Sequence, residues 1–241
     1  MTETIIQRQQ VEKAERSPRE QRLIVTIDGP AGAGKSTVAK LLALRLGYLY
    51  LDTGALYRAV AWKVRGCSVD PADRGSVAAL LPSTTIAMEY RPERPRVSVD
   101  GQDVSEEIRT EAISRMASIV SAIPAVREWL LPVQRRIGSA GGIVAEGRDL
   151  GTRVFPTADV KFFLEADQEV RAARRHRELT VTGQAALLDQ TRQEILSRDE
   201  RDRSRDLAPL VAAPDATRID TSTLTVEQAV ERMMAVIAAK L

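Results

Sequence analysis

Residues Gly29, Pro30, Ala31, Gly32, Ala33, Gly34, Lys35 and Ser36 fit the pattern G-x-x-x-x-G-K-[ST], with Thr37 immediately after. Glycines at these spacings let the backbone curl so that its N–H groups converge on an anion. The lysine adds positive charge at the outer phosphates of a nucleoside triphosphate, and the serine hydroxyl stands where a phosphate-bound Mg²⁺ needs an oxygen. The chemistry these residues can do is to hold a triphosphate and expose its terminal phosphoryl group.

What the phosphoryl is used for depends on the rest of the chain. A GTPase switch would carry N-K-x-D for guanine, and that tetrapeptide does not occur. A small-molecule kinase needs a second pocket rich in cations, which neutralises an anionic acceptor and aligns it with the transferred group. Several stretches can supply one: Asp52-Thr53-Gly54-Ala55-Leu56-Tyr57-Arg58, Ser118 and Arg127 in ASIVSAIPAVRE, Glu146-Gly147-Arg148-Asp149, and Arg198-Asp199-Glu200-Arg201-Asp202-Arg203-Ser204-Arg205. Alone, the last is the exposed face of a charged helix with i,i+4 pairs, and Arg58 alone is an ordinary surface charge.

In this order, LDTGALYR, VDGQDVSEEIRT, AEGRDLGTRVFP and RDERDRSRDLAPL closely resemble the bacterial cytidylate kinase family, within the nucleoside monophosphate kinase group. The match runs from about Leu23 to the C-terminus. It implies transfer of the γ-phosphoryl of ATP to CMP or dCMP with Mg²⁺. By the same resemblance, Thr53 and Arg58 contact the acceptor, and Arg58 and Arg148 grip its phosphate. Ser118, Arg127 and Asp149 meet the cytosine, and Arg198, Asp202 and Arg205 close over ribose and phosphates. Arg174 and Arg175 are expected to reach the ATP phosphates from a lid, and Glu146 to order Mg²⁺ through water. A carboxylate such as Asp149 can accept a hydrogen bond from the amino group that cytosine has and uracil lacks. Remaining readings are a kinase that accepts UMP as well as CMP, a shikimate-type kinase, although its D-x-D is here Asp52-Thr53-Gly54, and a nucleotide-binding protein without turnover.

These residues need a scaffold that gathers them. Leu23–Ile27 is an apolar, β-branched run suited to a strand buried on both faces, and Lys35–Leu46 has one apolar helical face ending at Gly47. The pattern predicts further core strands at Gly47–Leu51, Ile143–Ala145, Val160–Leu164 and Thr217–Ile219. It predicts helices at about Ala55–Val64, Ile108–Val120, Ala125–Ile137, Gln168–Glu178, Leu188–Arg205 and Val226–Ala239. Thr85–Tyr90 and Arg96–Val99 alternate as a hairpin, and LTVTGQAA (179–186) reads as a loop. The expected fold is α/β: a three-layer parallel sheet flanked by helices, with a P-loop kinase core. One kinase domain covers 23–241, with an inserted nucleotide-binding subdomain at about 55–137 and a lid at about 171–186, preceded by a flexible tail at 1–22.

Bulk properties agree with a small-molecule enzyme. The chain has 241 residues, 44% of them hydrophobic, and a net charge of +2, which does not suggest general nucleic-acid binding. Its one histidine, His176, and one cysteine, Cys67, make neither a zinc site nor a disulfide. With no long apolar run and no secretory signal, the expectation is a cytoplasmic protein that contacts no membrane, and a monomer.

Overall fold

The computed structural model describes residues 22–89, 95–181, 183 and 187–240. The expected tail, apart from Arg22, and part of the expected lid and hairpin lie outside these residues. Strand β1 (Ile24–Asp28) leads through the glycine-rich turn into helix α1 (Lys35–Leu46), then β2 (Leu49–Asp52) into α2 (Thr53–Gly66) and a short α3 (Arg74–Leu80). A three-stranded antiparallel unit follows, β3 (Ile86–Glu89), β4 (Arg96–Val99) and β5 (Gln102–Asp103), then α4 (Glu111–Val120) and α5 (Pro124–Gly138). The chain closes with β6 (Ile143–Glu146), β7 (Val160–Glu165), α6 (Gln168–Val181), α7 (Leu188–Arg203), β8 (Thr217–Asp220) and α8 (Val226–Ala238).

The five core strands are parallel in the order β2-β6-β1-β7-β8. Because β1 is central, both its faces are buried: Val25 and Ile27 on one, Thr26 and Asp28 on the other. Val38, Leu42, Val230 and Met233 of α1 and α8 pack with these strands. A separate apolar cluster joins α2, α4 and α5 to β3 and β4 through Leu56, Val60, Val99, Ile113, Val126 and Leu130. Trp62 and Trp129 pack against its rim. In register, Asp52 and Ile27 both pair with Glu146, so β1, β2 and β6 end together and place Asp28, Asp52 and Glu146 at one edge. Ligands of open α/β sheets bind at that edge.

Several element boundaries differ from the sequence expectation. Helix α2 starts at Thr53 rather than Ala55 because the Asp52 carboxylate accepts the Ala55 N–H at 3.0 Å and caps it. Helix α3 was not expected, and the Asp73 cap, accepting from Gly75 and Ser76 N–H, is its signal. The expected helix from Ile108 breaks at Thr110, which is extended and caps α4. The hairpin has a third strand. Helix α6 continues through Leu179–Val181, expected to be loop, because Leu179 is buried.

Candidate active site

A cleft of about 1220 Å³ opens at the C-terminal edge of the sheet. The phosphate loop, the start of α2, α4, the segment after β6, and α6 and α7 all line it. Ala31, Gly32, Ala33, Gly34, Lys35, Ser36, Thr37, Thr53, Arg58, Ser118, Arg127, Glu146, Arg148, Asp149, Arg174, Arg175, Arg198, Asp202 and Arg205 all border it. Of the residues expected to bind ATP, Gly29 and Pro30 lie outside this lining. Gly29 is forced by its neighbour strand: at φ +145° a Cβ would lie 2.1 Å from the Leu164 carbonyl oxygen. The Pro30 carbonyl accepts from Lys35 Nζ at 2.6 Å, which holds the lysine across the loop.

Lys35 is 5% exposed, and burial, followed by the nearby Arg148, pulls its pKa well below the ordinary lysine value. Half-buried Arg198 has no hydrogen bond or ion pair among the described residues, and its Nε is fully enclosed. Burial and Arg148 bring its pKa down to about 10. The two cations face one cleft without adequate counter-charge, an arrangement that an anion would relieve.

The other arginines are held by carboxylates. Arg58 Nη2 lies 2.6 Å from Asp52 Oδ2, and Arg148 Nε 2.9 Å from Asp202 Oδ2. Arg205 also pairs with Asp202 and donates to Ser121 Oγ at 3.0 Å. Arg127 pairs with Asp149, both buried, and donates to the Ser121 carbonyl at 3.1 Å; its guanidinium lies 5.3 Å from the Tyr57 ring centroid. Buried Ser118 accepts from Arg201 Nε at 3.2 Å. Thr53 Oγ1 donates to the Glu146 carbonyl at 2.7 Å and is thereby fixed at the mouth of β6.

The expectation that Arg174 and Arg175 reach toward the triphosphate meets a different arrangement. Arg174 donates to the Thr221 carbonyl at 2.6 Å and Oγ1 at 3.1 Å, beside Gly34, and Arg175 pairs with Glu111 and Glu178. Each spends two of its five guanidinium N–H groups on these partners.

The residues fit a Mg²⁺ ion carried in with phosphate. Glu146 is buried beside Asp52, and burial first, then that second carboxylate, raises its pKa. It hydrogen-bonds the Ser36 side chain and accepts from Tyr50 Oη. Two crowded carboxylates next to an exposed hydroxyl suit a small hard cation that keeps most of its waters. Among the described residues no group of three or more His, Cys, Asp or Glu is placed as a dedicated protein cage.

A family model described as cytidylate kinase matches residues 25–239, which takes in all of the five-stranded sheet but Ile24, and every cleft element. The chain belongs to the cytidylate kinase family. It is 46% identical to a cytidylate kinase of Geobacillus thermodenitrificans over 90% of this chain and 97% of that one. Its identity is also 46% to a cytidylate kinase of Citrifermentans bemidjiense, over 92% of this chain and 96% of that one. The solved structure of an uncharacterised protein from Eubacterium ventriosum shares the fold at 11% identity, with a TM-score of 0.50, covering 91% of this chain and 99% of that one.

Sequence reasoning gave no role to several residues around this cytidylate kinase cleft. Asp52 caps α2 and holds Arg58; Tyr50 holds Glu146; Asp28 accepts the N–H groups of Leu150 and Gly151 at 2.9 and 2.8 Å, closing a π-helical turn over Leu150–Val154. Asp28 and Asp52 each end a core strand, which is the signal that could have found them.

Proposed function

We propose that this protein transfers the γ-phosphoryl of ATP to a phosphate oxygen of CMP or dCMP, giving ADP and CDP or dCDP. The bond from the β,γ-bridging oxygen to γ-phosphorus breaks as one forms from the acceptor oxygen, and no general base is required because that oxygen is already ionised at neutral pH. Support comes above all from Arg198, half-buried in the cleft without a direct ion pair while Arg148 and Lys35 stand near it and Asp202 offsets them only in part. Two phosphate groups that must approach one another need such uncompensated positive charge, fixed before the reaction.

Lys35 and the loop N–H groups, from Ala31 to Ser36, hold the triphosphate. Arg58 and Arg148 take the acceptor phosphate, exchanging part of their pairing with Asp52 and Asp202 for it. Asp149, held by Arg127 and with Ser118 beside them, accepts from the cytosine amino group. Asp202 and Arg205 meet the ribose, and Arg174 and Arg175 turn to the ATP phosphates. Ser36, with Glu146 acting through water, would hold Mg²⁺, which would supply charge neutralisation to the triphosphate. The acceptor end is the insertion at about 55–137, and a lid at about 171–186 shuts water out. The protein works as a cytoplasmic monomer; among the described residues no single helix is long and apolar enough to cross a membrane.

The experiment is ADP formation with ATP and Mg²⁺ against CMP, dCMP, UMP, AMP, GMP and shikimate. Turnover of CMP and dCMP at least ~10²-fold above UMP is the expected result for a site built around one buried hydrogen bond. Equal rates with CMP and UMP would remove Asp149 from the base edge, and turnover of shikimate alone would replace the reading.

A further inference from the structure

One buried ion pair beside the cleft touches three elements and takes no part in the proposed chemistry. The Arg171 guanidinium, near the start of α6, donates from Nη1 to the carbonyl of Ala31 in the phosphate loop at 3.1 Å and from Nε to the Ala166 carbonyl at 3.0 Å. The same Nη1 pairs with Oδ2 of Asp199 on α7. Arg171 and Asp199 are 5% and 2% exposed. The backbone is equally close: a Cβ on Gly32 would stand 2.7 Å from the Arg171 carbonyl oxygen, so the loop lies directly on the first turns of α6. Asp199 follows Arg198 in sequence, and Asp202 and Arg205 lie on the same segment. Its Oδ1 has no hydrogen-bond partner, so Arg171 supplies the strongest restraint on that carboxylate.

We propose that Arg171 and Asp199 form a positioning joint through which nucleotide at the phosphate loop sets the place of α7, and with it Arg198, Asp202 and Arg205. Neither residue borders the cleft, and so each acts through its neighbours. A loop drawn toward bound phosphate moves the Ala31 carbonyl. Arg171 follows because it is hydrogen-bonded there, and Asp199 follows Arg171 because a buried carboxylate cannot give up its one counter-ion cheaply. The inference builds on the proposed use of α7 in closing over the acceptor, yet coupling of loop to helix can be read without any acceptor.

The test is hydrogen exchange across 188–203 with and without saturating ADP and Mg²⁺, in the unaltered protein, in Asp199→Asn and in Arg171→Lys. ADP is expected to slow exchange of α7 amides at least ~5-fold in the unaltered protein, the scale of an ordinary coupling between sites. That nucleotide-induced difference should vanish in Asp199→Asn and survive in part in Arg171→Lys, which keeps the charge but not the fork. If only the packing of α7 depended on the pair, exchange without nucleotide would rise and the ADP-induced difference would stay. That outcome overturns the joint, as does an unaltered protein in which ADP leaves α7 exchange unchanged. If Asp199→Asn does not fold, Arg171→Lys alone decides: an undiminished ADP effect refutes the joint. CMP turnover by the unaltered protein, measured separately, tests the proposed reaction and not the joint.

Discussion

Arg148, two residues past the end of β6, and Asp202, on α7, are 54 residues apart and meet at 2.9 Å in the cleft. Asp202 gathers Arg148 and Arg205 at once and lies beside Arg198; burial pushes its carboxyl up, but these guanidiniums overcome the push and leave it below the ordinary aspartate value. The charged run on α7 is therefore organised around one buried acid, and the cations are spread over the two sides of a space that nucleotide can enter.

Replacing that acid should damage stability and function together. Asp202→Asn leaves Arg148, Arg198 and Arg205 repelling one another, with a loss of about 3 kcal/mol expected for breaking a buried pair. Urea unfolding measures it. With CMP as acceptor, kcat/KM should fall about 10²-fold, because the arginines lose the anchor that orients them. A variant that binds CMP more tightly and turns over normally would show that Asp202 merely competes with the substrate phosphate.

The two cations that make no ion pair among the described residues predict the opposite pairing of effects. Lys35 and Arg198 are charged at a cost in the substrate-free protein, since burial and Arg148 disfavour both. Lys35→Met and Arg198→Met should each leave the unfolding free energy within about 1 kcal/mol of the parent, or raise it, while kcat falls about 10²- to 10³-fold. Paired denaturation and steady-state measurements check both halves. Stability lost in step with activity would mean that these charges are compensated after all.

Base selectivity rests on Asp149. Asp149→Asn keeps the volume but presents an amide whose donor end repels the cytosine amino group, so the CMP-to-UMP ratio of kcat/KM should collapse about 10²-fold. Arg127, 3% exposed, then loses its counter-charge, and the melting temperature should fall as well. An unchanged ratio would move base recognition elsewhere in the cleft.

Much of this architecture was legible in the chain because strong periodicity and glycine chemistry act locally. The run at β1, the span of α1 from Lys35 to Leu46 and the Thr225 capping box of α8 are all visible in the sequence and present in the fold. The cleft residues were named from motifs, and the fold brings all but Gly29 and Pro30 to its lining. What stayed hidden depends on contacts between distant segments. Asp28 looks like an ordinary strand-end acid until residues 122 and 123 positions later present their N–H groups to it. Arg171 is one arginine among several on α6 until Ala31 and Asp199 close around it, and the pairing of Arg175 with Glu111 needs α4 and α6 side by side.

Asp28 also predicts how stability depends on pH. Burial raises its pKa from 3.8 to about 6; the N–H groups of Gly151 and Leu150 oppose that rise, as does Lys35, and Asp149 adds to it. The folded protein thus holds a proton on Asp28 between about pH 4 and 6 where the unfolded chain has released it. Unfolding in that window releases the proton, so this group's contribution to stability falls as pH rises from 4 and levels off above 6, a change of about 3 kcal/mol in all. Asp28→Asn removes the titration, at a constant cost of about 1 kcal/mol for the one N–H acceptor it cannot replace. Urea unfolding of both proteins from pH 4 to 7 should show the variant gaining on the parent as pH rises, so that it is the less stable protein at pH 4 and the more stable one at pH 7. Parallel curves would mean that Asp28 is ionised throughout, its two N–H donors outweighing its burial.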